Sequence, residues 1–260
     1  MSHSEEPAER VALVTGAGAH DGIGFATARA LAARGERLVL TSTTARIFER
    51  VGELADEGAE AIGLVGDLTD PATSDELVDT ALSKWGRLDV VVHNAGMTSV
   101  SDPAMSTGSL EEIDAMHWHA GIARNLDTAF HIAKATLPAL CASPSGRMIM
   151  VASVTGPVMA MRHEPIYAAA KAGLVGLARG LALDYAQRGL TVNAVAPGWI
   201  ATGSQTPHEA RQGLASPMGR SGTADEIAAV IAFLASPEAS YLTGQCIVVD
   251  GANSIAEERR

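Results

Sequence analysis

The chain has 260 residues, 47% of them hydrophobic and 19% charged, with a formal net charge of −11 at pH 7. This is the composition of a folded chain with a sizeable core. Its acidity speaks against nucleic acid and anionic membrane surfaces, both of which reward basic residues. Nowhere does an apolar run of about 20 residues occur, and the polar start, 1–10, has no leader-like apolar stretch, so a cytoplasmic protein is expected. Cys141 and Cys246 sit among apolar residues without metal spacing and read as buried free thiols.

In chain order, short β-branched or leucine-rich runs alternate with longer helical patterns. A strand over 11–15 precedes a helix over 23–34, a strand over 37–41 a helix over 46–57, and a strand over 60–65 a helix over 72–85. A strand over 88–93 then leads to a helix over 123–140, and a strand over 147–152 to a helix over 167–186. Strands over 191–196 and 246–249 flank a last helix over 224–235. Strands apolar throughout, with helices between them, predict an α/β fold: one doubly wound parallel sheet over 10–253, between a disordered start, 1–9, and a tail, 254–260. The helix over 167–186 carries charge only at Lys171, Arg179 and Asp184. A helix so apolar is buried on more than one side, which predicts a second copy of the chain against it, with Ala178 among its outward small residues.

The first strand runs into Gly16, then Gly22-Ile23-Gly24, then a helix. A glycine turn there lets backbone N–H groups approach a pyrophosphate at the helix N-terminus, so Gly16, Gly22, Ile23 and Gly24, with His20 in the loop, are candidate dinucleotide contacts. The second strand ends Thr41-Ser42-Thr43-Thr44, with Arg46 next and no carboxylate. A carboxylate would bind the ribose hydroxyls of NAD; Ser42, Thr43 and Arg46 suit a 2′-phosphate, so NADP(H) is favoured over NAD(H).

Tyr167 and Lys171 stand four apart on a predicted helix, one turn above the other. A free tyrosine ionises near pH ~10, and an ammonium nearby draws it toward the working range of an acid–base group. His117 and His119, two apart, do not share a helix face as metal ligands would, and no metal is assigned. No G-x-S-x-G elbow surrounds Ser153, which argues against a serine hydrolase.

Thr15-Gly16, Gly22-Ile23-Gly24, Asp67-Leu68, Asn94-Ala95-Gly96, Ser153, Tyr167-x-x-x-Lys171 and Pro197-Gly198 follow in this order over residues 10–253. The chain resembles the short-chain dehydrogenase/reductase family, and is similar to bacterial 3-oxoacyl-carrier-protein reductases and related ketone reductases. The resemblance implies a Rossmann-type domain, usually in a homotetramer, that moves hydride between a nicotinamide cofactor and a carbonyl compound. It implies Asn125, Ser153, Tyr167 and Lys171 as catalytic residues, Tyr167 as general acid, and Tyr167 and Lys171 also as cofactor contacts. It further implies that Asp67 and Leu68 meet the adenine, that Asn94, Ala95 and Gly96 line the cofactor, and that Pro197, Gly198, Ile200 and Thr202 hold its nicotinamide side.

Departures fall mainly in the substrate region. Five residues, Ala17 to Asp21, separate Gly16 from Gly22, more than is usual in the family. Tyr167 follows Ser153 by 14 positions, and the stretch from Gly96 to Asn125 is also long. Substrate selection is therefore expected in 97–121 and 154–166, with Ser153 and Tyr167 at the carbonyl and Met159, Met161 and His163 as candidate wall residues. An NADPH-dependent reductase of small or medium ketones is the leading expectation. A 3-oxoacyl-carrier-protein reductase is the alternative, weakened because 140–146 lacks the Lys and Arg an acidic carrier would dock on. A dinucleotide-binding regulator without turnover is a third.

Overall fold

The computed structural model describes residues 10–96 and 108–257; the expected disordered start, 1–9, and part of the first substrate segment, 97–107, lie outside it. Strand β1 (Val11–Thr15) leads to α1 (Ile23–Ala32), β2 (Arg37–Ser42) to α2 (Arg46–Asp56), and β3 (Ala61–Val65) to α3 (Pro71–Trp85). After β4 (Val90–His93) come α4 (Ala115–Ile122), a π-helical turn (Ala123–Asp127) and α5 (Thr128–Ala142). β5 (Arg147–Val151) leads to α6 (Pro165–Tyr185) and β6 (Thr191–Pro197). The two-residue strands β7 (Ile200–Ala201) and β8 (Gly222–Thr223) pair across a lid holding α7 (Pro207–Leu214). Helix α8 (Ala224–Ala235) and β9 (Cys246–Val249) complete the described chain.

Seven strands form one parallel sheet in the order β3-β2-β1-β4-β5-β6-β9. Every residue of β1, β4, β5 and β6 is buried. Their runs are apolar on both faces because helices cover both. Leu13, Val91, Met148 and Val192 pack with Leu77, Ile132 and Leu174 on one face. Val14, Leu40 and Ile149 pack with Phe25, Leu31, Ile227 and Ile231 on the other. Chain order reverses between β1 and β4, which opens a crevice at their carboxyl ends, where such sheets bind ligands.

Helix starts are marked by polar caps. Asp70 caps α3 ahead of Pro71, and Thr206 with Glu209 and Thr223 with Glu226 form capping boxes on α7 and α8. Each such cap is worth ~1 kcal/mol.

Three expectations change. The helix expected over 123–140 is a π turn followed by α5, and an unexpected helix, α4, precedes them; α4 buries no residue, so it had no apolar stripe to announce it. Helix α6 starts two residues early because Pro165 fits its first turn. Ala178 faces inward, 1% exposed and packed in the core, so it is not an outward position. The outward face of α6 instead carries Ala172, Gly176, Arg179, Gly180 and Leu183. Cys141 and Cys246 are free and half-buried.

The amino ends of the strands hold a buried charge cluster. Asp89 is fully buried and accepts hydrogen bonds from Arg87 Nε at 2.8 Å and the Val11 N–H at 2.9 Å. Burial would push this carboxyl up, but Arg87, Ser143 and the Val11 N–H together hold it below the usual range. Glu36 pairs with Arg10, 3.1 Å away. Burial, only partly offset by Arg10 and reinforced by Asp89, pushes Glu36 up to about 7. A folded-state value above the ordinary 4.5 means that the stability it contributes is complete below about 4.5 and lost as pH rises through about 7. In Glu36→Gln the melting temperature, relative to the parent, should therefore climb between pH 5 and pH 8; a pH-independent difference would show that Glu36 does not titrate in this window.

Candidate active site

The crevice between β1 and β4 is closed at its floor by backbone contacts that tolerate no added atoms. Thr15 Oγ1 accepts from the N–H groups of Asn94 at 3.1 Å and Ala95 at 3.0 Å, and Asn94 Nδ2 donates to Gly16 O at 3.0 Å. A Cβ on Gly24 would lie 2.5 Å from Gly16 O, and one on Gly16, whose φ is +68°, would lie 2.9 Å from Ala95 Cα. Gly22 caps α1 in an extended conformation with no side chain on the first-turn N–H groups. A helix N-terminus left open in this way, beside a floor of bare backbone, fits the pyrophosphate of a dinucleotide. Ile23 opens that helix and packs on the core behind it.

The enlarged loop is tied down at both sides. His20 is exposed and meets Glu53 Oε2 of α2 at 2.9 Å, with its ring 5.9 Å from Phe25. Asp21 lies against the lid, where a Cβ on Gly203 would be 2.8 Å from its carboxylate. At the end of β2, Ser42 packs on Gly18 and donates to Thr44 O at 2.7 Å, while Thr43 and Arg46 are exposed. Asp67 is exposed and accepts from the Thr69 N–H at 2.9 Å; Leu68 is buried, its carbonyl 2.9 Å from His131 Nδ1.

Ser153 follows β5, and Tyr167 and Lys171 project from the first turns of α6. Ser153, whose Oγ accepts from the Thr155 N–H at 3.1 Å, is the neighbour that draws the Tyr167 phenol down. Lys171 is 3% exposed; its Nζ donates to Val151 O at 3.0 Å and lies 5.5 Å from the centre of the Tyr167 ring. Asn125, buried in the π turn, donates to Gly121 O at 3.1 Å. Gly96 brings Asn125 and Lys171 together: with φ at +150°, a Cβ there would lie 3.1 Å from Asn125 Oδ1 and 3.2 Å from Lys171 Nζ. Burial alone pulls Lys171 down to about 8. The phenol does not follow the expectation from Tyr167–Lys171 spacing. Burial pushes Tyr167 up to about 12, against the pull of Ser153 and with help from Glu164 and Glu209.

On the far wall, Gly198 crosses Asp250 so closely that a Cβ would lie 2.6 Å from its Cβ, and the Pro197 carbonyl accepts from the Val154 N–H at 3.0 Å. Ile200 pairs with Gly222, and Thr202 and Ser204 hydroxyls are 3.0 Å apart. Met159 is half-buried with its sulfur 3.5 Å from Asn253 Nδ2, and Met161 is half-buried. His163 is exposed at φ +64°, and its carbonyl takes the Gly108 N–H at 2.9 Å, which joins the two expected substrate segments. His117 pairs with Asp114 at 2.9 Å.

Two groups had no place in the sequence reading. His93 ends β4 fully buried, 3.3 Å from Thr15 Oγ1 and 3.4 Å from Thr128 Oγ1. Burial, then the Lys171 charge, drive it down to about 3, so it is a neutral strut between β1 and α5. A histidine closing an otherwise apolar strand was its only signal. Glu164, three residues before Tyr167, was the other, visible in sequence only as a carboxylate beside the motif.

An open sheet, a dinucleotide floor at its switch point and a Ser–Tyr–Lys group beside that floor define a nucleotide-dependent oxidoreductase. A family profile described as enoyl-(acyl carrier protein) reductase matches residues 16–252, and the chain belongs to the short-chain dehydrogenase/reductase family. It is 38% identical over 246 residues to a 3-oxoacyl-[acyl-carrier-protein] reductase of Salmonella typhimurium, covering 93% of this chain and 96% of that protein. It is 38% identical over 248 residues to the cis-4-hydroxycyclohexanecarboxylate dehydrogenase of Sinomonas cyclohexanicum, covering 94% and 96%. A crystal structure of a dehydrogenase/reductase from Sinorhizobium meliloti 1021 superposes with a TM-score of 0.86 at 29% identity, covering 95% of this chain and 96% of that one. The chain is thus an oxidoreductase of CH–OH and C=O groups, using a nicotinamide dinucleotide.

Proposed function

We propose that this chain is an NADP(H)-dependent carbonyl reductase that converts small or medium ketones to secondary alcohols. The Tyr167 hydroxyl, beside Ser153 and one helical turn from the buried Lys171, carries this reading. Gly16, Gly22, Gly24 and Asn94 would hold a nicotinamide dinucleotide, which when bound would supply hydride to the carbonyl carbon. As charge builds on the carbonyl oxygen, Tyr167 gives it a proton and Ser153 a hydrogen bond. Lys171 offsets the negative charge left on the phenol, and Asn125, beside it, continues the path by which the proton is replaced. Alcohol oxidation uses the same groups in reverse. Following nucleotide oxidation across a ketone panel tests the proposal; nucleotide binding with no turnover of any ketone would favour a regulator. The curated relatives support a second reading, reduction of 3-oxoacyl chains on a carrier protein. Faster turnover of a carrier-bound 3-oxoacyl thioester than of any free ketone would establish it.

NADPH should be preferred over NADH, because the end of β2 offers Ser42, Thr43 and Arg46 and no carboxylate. Ser42→Asp should shift the preference toward NADH by about tenfold or more, since a carboxylate there accepts ribose hydroxyls and repels a 2′-phosphate. An unchanged ratio of kcat/KM values would move the 2′ site elsewhere.

The reading includes a cytoplasmic homo-oligomer, most simply a tetramer. Pro165–Arg188 is long and apolar enough to cross a membrane, but its Leu174, Val175, Ala178 and Ala182 are buried and it carries Tyr167 and Lys171 into the site. Its other face is left for a second copy. Leu183 on that face is 82% exposed, and Gly176 has open space around it. Gly176→Glu should favour the helix locally yet place an unpaired carboxylate in the contact, lowering the sedimenting mass. A variant that sediments as the parent does would take α6 out of the interface.

A further inference from the structure

Two carboxylates stand beside the catalytic tyrosine with no part in proton transfer. Glu164 is the N-cap residue of α6, three positions before Tyr167 and so on the same side of the first turn. It is 8% exposed. An N-cap carboxylate ordinarily accepts from first-turn N–H groups, but the Glu164 carboxylate makes no such bond, and among the described residues it has no hydrogen bond or ion pair, only the Glu164 carbonyl accepting from the Ala168 N–H at 2.9 Å. Across from it on the lid is Glu209 of α7, which is held by its own capping box, with Oε2 2.7 Å from the Thr206 N–H. Both carboxylates make the Tyr167 phenol harder to ionise, Glu164 from the cap of the helix that carries Tyr167 and Glu209 from the lid. The neighbouring cations, Arg162 and His163, are exposed and do not pair with either. Burial and Glu209 both push Glu164 up, and no cation offsets them.

A buried carboxylate is costly unless it is paired. The family chemistry does not require one here, because Tyr167, Ser153 and Lys171 already account for hydride acceptance and proton delivery. Glu164 in fact makes the phenolate harder to form, so its value lies in what it attracts. Within the carbonyl-reductase reading, on which this inference rests, we propose that Glu164, with Glu209 closing from the lid, is a cation subsite and that the preferred substrate is a ketone bearing a protonated amine. The ammonium sits between the two carboxylates while the carbonyl oxygen meets Tyr167 and Ser153. The same pair repels a substrate carboxylate.

A matched ring series reads this out: 1-methylpiperidin-4-one in its protonated form, 4-methylcyclohexanone and 4-oxocyclohexanecarboxylate, each assayed at pH 7 with NADPH. The amino ketone should exceed the methyl analogue in kcat/KM by about tenfold or more, with the carboxylate poorest. In Glu164→Gln the ratio of amino to methyl ketone should fall to about threefold or less, and Glu209→Gln should lower it by a smaller factor. Using a ratio removes any general loss of activity, and the parent ranking with Glu209→Gln decides the matter if Glu164→Gln does not fold. Equal or better turnover of the neutral ketone by the parent, or a ratio unchanged in both variants, overturns the subsite and leaves the reductase reading standing. If NADPH binds and no ketone is reduced, the reductase reading itself fails and the subsite falls with it.

Discussion

Tyr167→Phe should lose about 10²- to 10⁴-fold in kcat, the range expected for removing a general acid, while its affinity for the nicotinamide nucleotide changes little. The aromatic ring stays in place to pack beside Lys171, and the proposed pyrophosphate cradle, Gly16, Gly22 and Gly24, is untouched. Only the proton donor is gone. Burial holds Tyr167 at about 12, so the hydroxyl that the variant lacks is a group kept protonated at neutral pH, ready to donate. Stopped-flow turnover together with nucleotide fluorescence titration checks both halves. Activity within tenfold of the parent would mean that another group delivers the proton.

Lys171→Ala should damage chemistry and binding together, by about 10²-fold or more in kcat and with a clear rise in the nucleotide dissociation constant. Its ammonium donates to Val151 O, lies against Tyr167 and touches the space that Gly96 leaves open next to Asn125. Removing it leaves the buried Val151 carbonyl without that partner and the phenolate without its countercharge. Burial brings Lys171 to about 8, so in the nucleotide-free chain its charge is present below that pH and lost above it. Nucleotide affinity of the parent should accordingly weaken as pH rises past about 8, and in Lys171→Ala that dependence should flatten. A variant losing kcat alone would confine Lys171 to proton transfer.

What could be read from the chain follows from where its side chains are buried. β1 matches its expected bounds because its run is buried from end to end, and β9 matches them although none of its residues is buried. α4 was invisible because all of its residues are at least partly solvent-facing, and a helix without a core face has no periodicity to detect. β7 and β8 were too short for a pattern and are set by the path of the lid. The phase of α6 was ambiguous for the opposite reason. Alanine and glycine occupy both of its faces, so only the packed structure shows that Ala178 is inside and Gly176 outside. In the site, Tyr167 and Lys171 were legible from spacing and Ser153 from the family resemblance. Their balance of charge was not, because the burial that raises Tyr167 and the lid carboxylate that assists it come from segments far apart in sequence.

The order of strands also governs how the chain can be made. β6 is buried along its whole length, yet its outer neighbour β9 is the last strand among the described residues, with Cys246 paired to Ala194 more than fifty positions earlier. During synthesis the site from Ser153 to Lys171 and the sheet as far as β6 emerge before the strand that covers this edge. Until Cys246–Val249 arrives, the nascent molecule presents an apolar strand with free backbone N–H and C=O groups, a template on which another unfinished chain can pair. Four residues near the end thus decide whether the growing sheet completes itself or joins a neighbour, and losing them should be seen first as aggregation on the ribosome's timescale rather than as a slower enzyme.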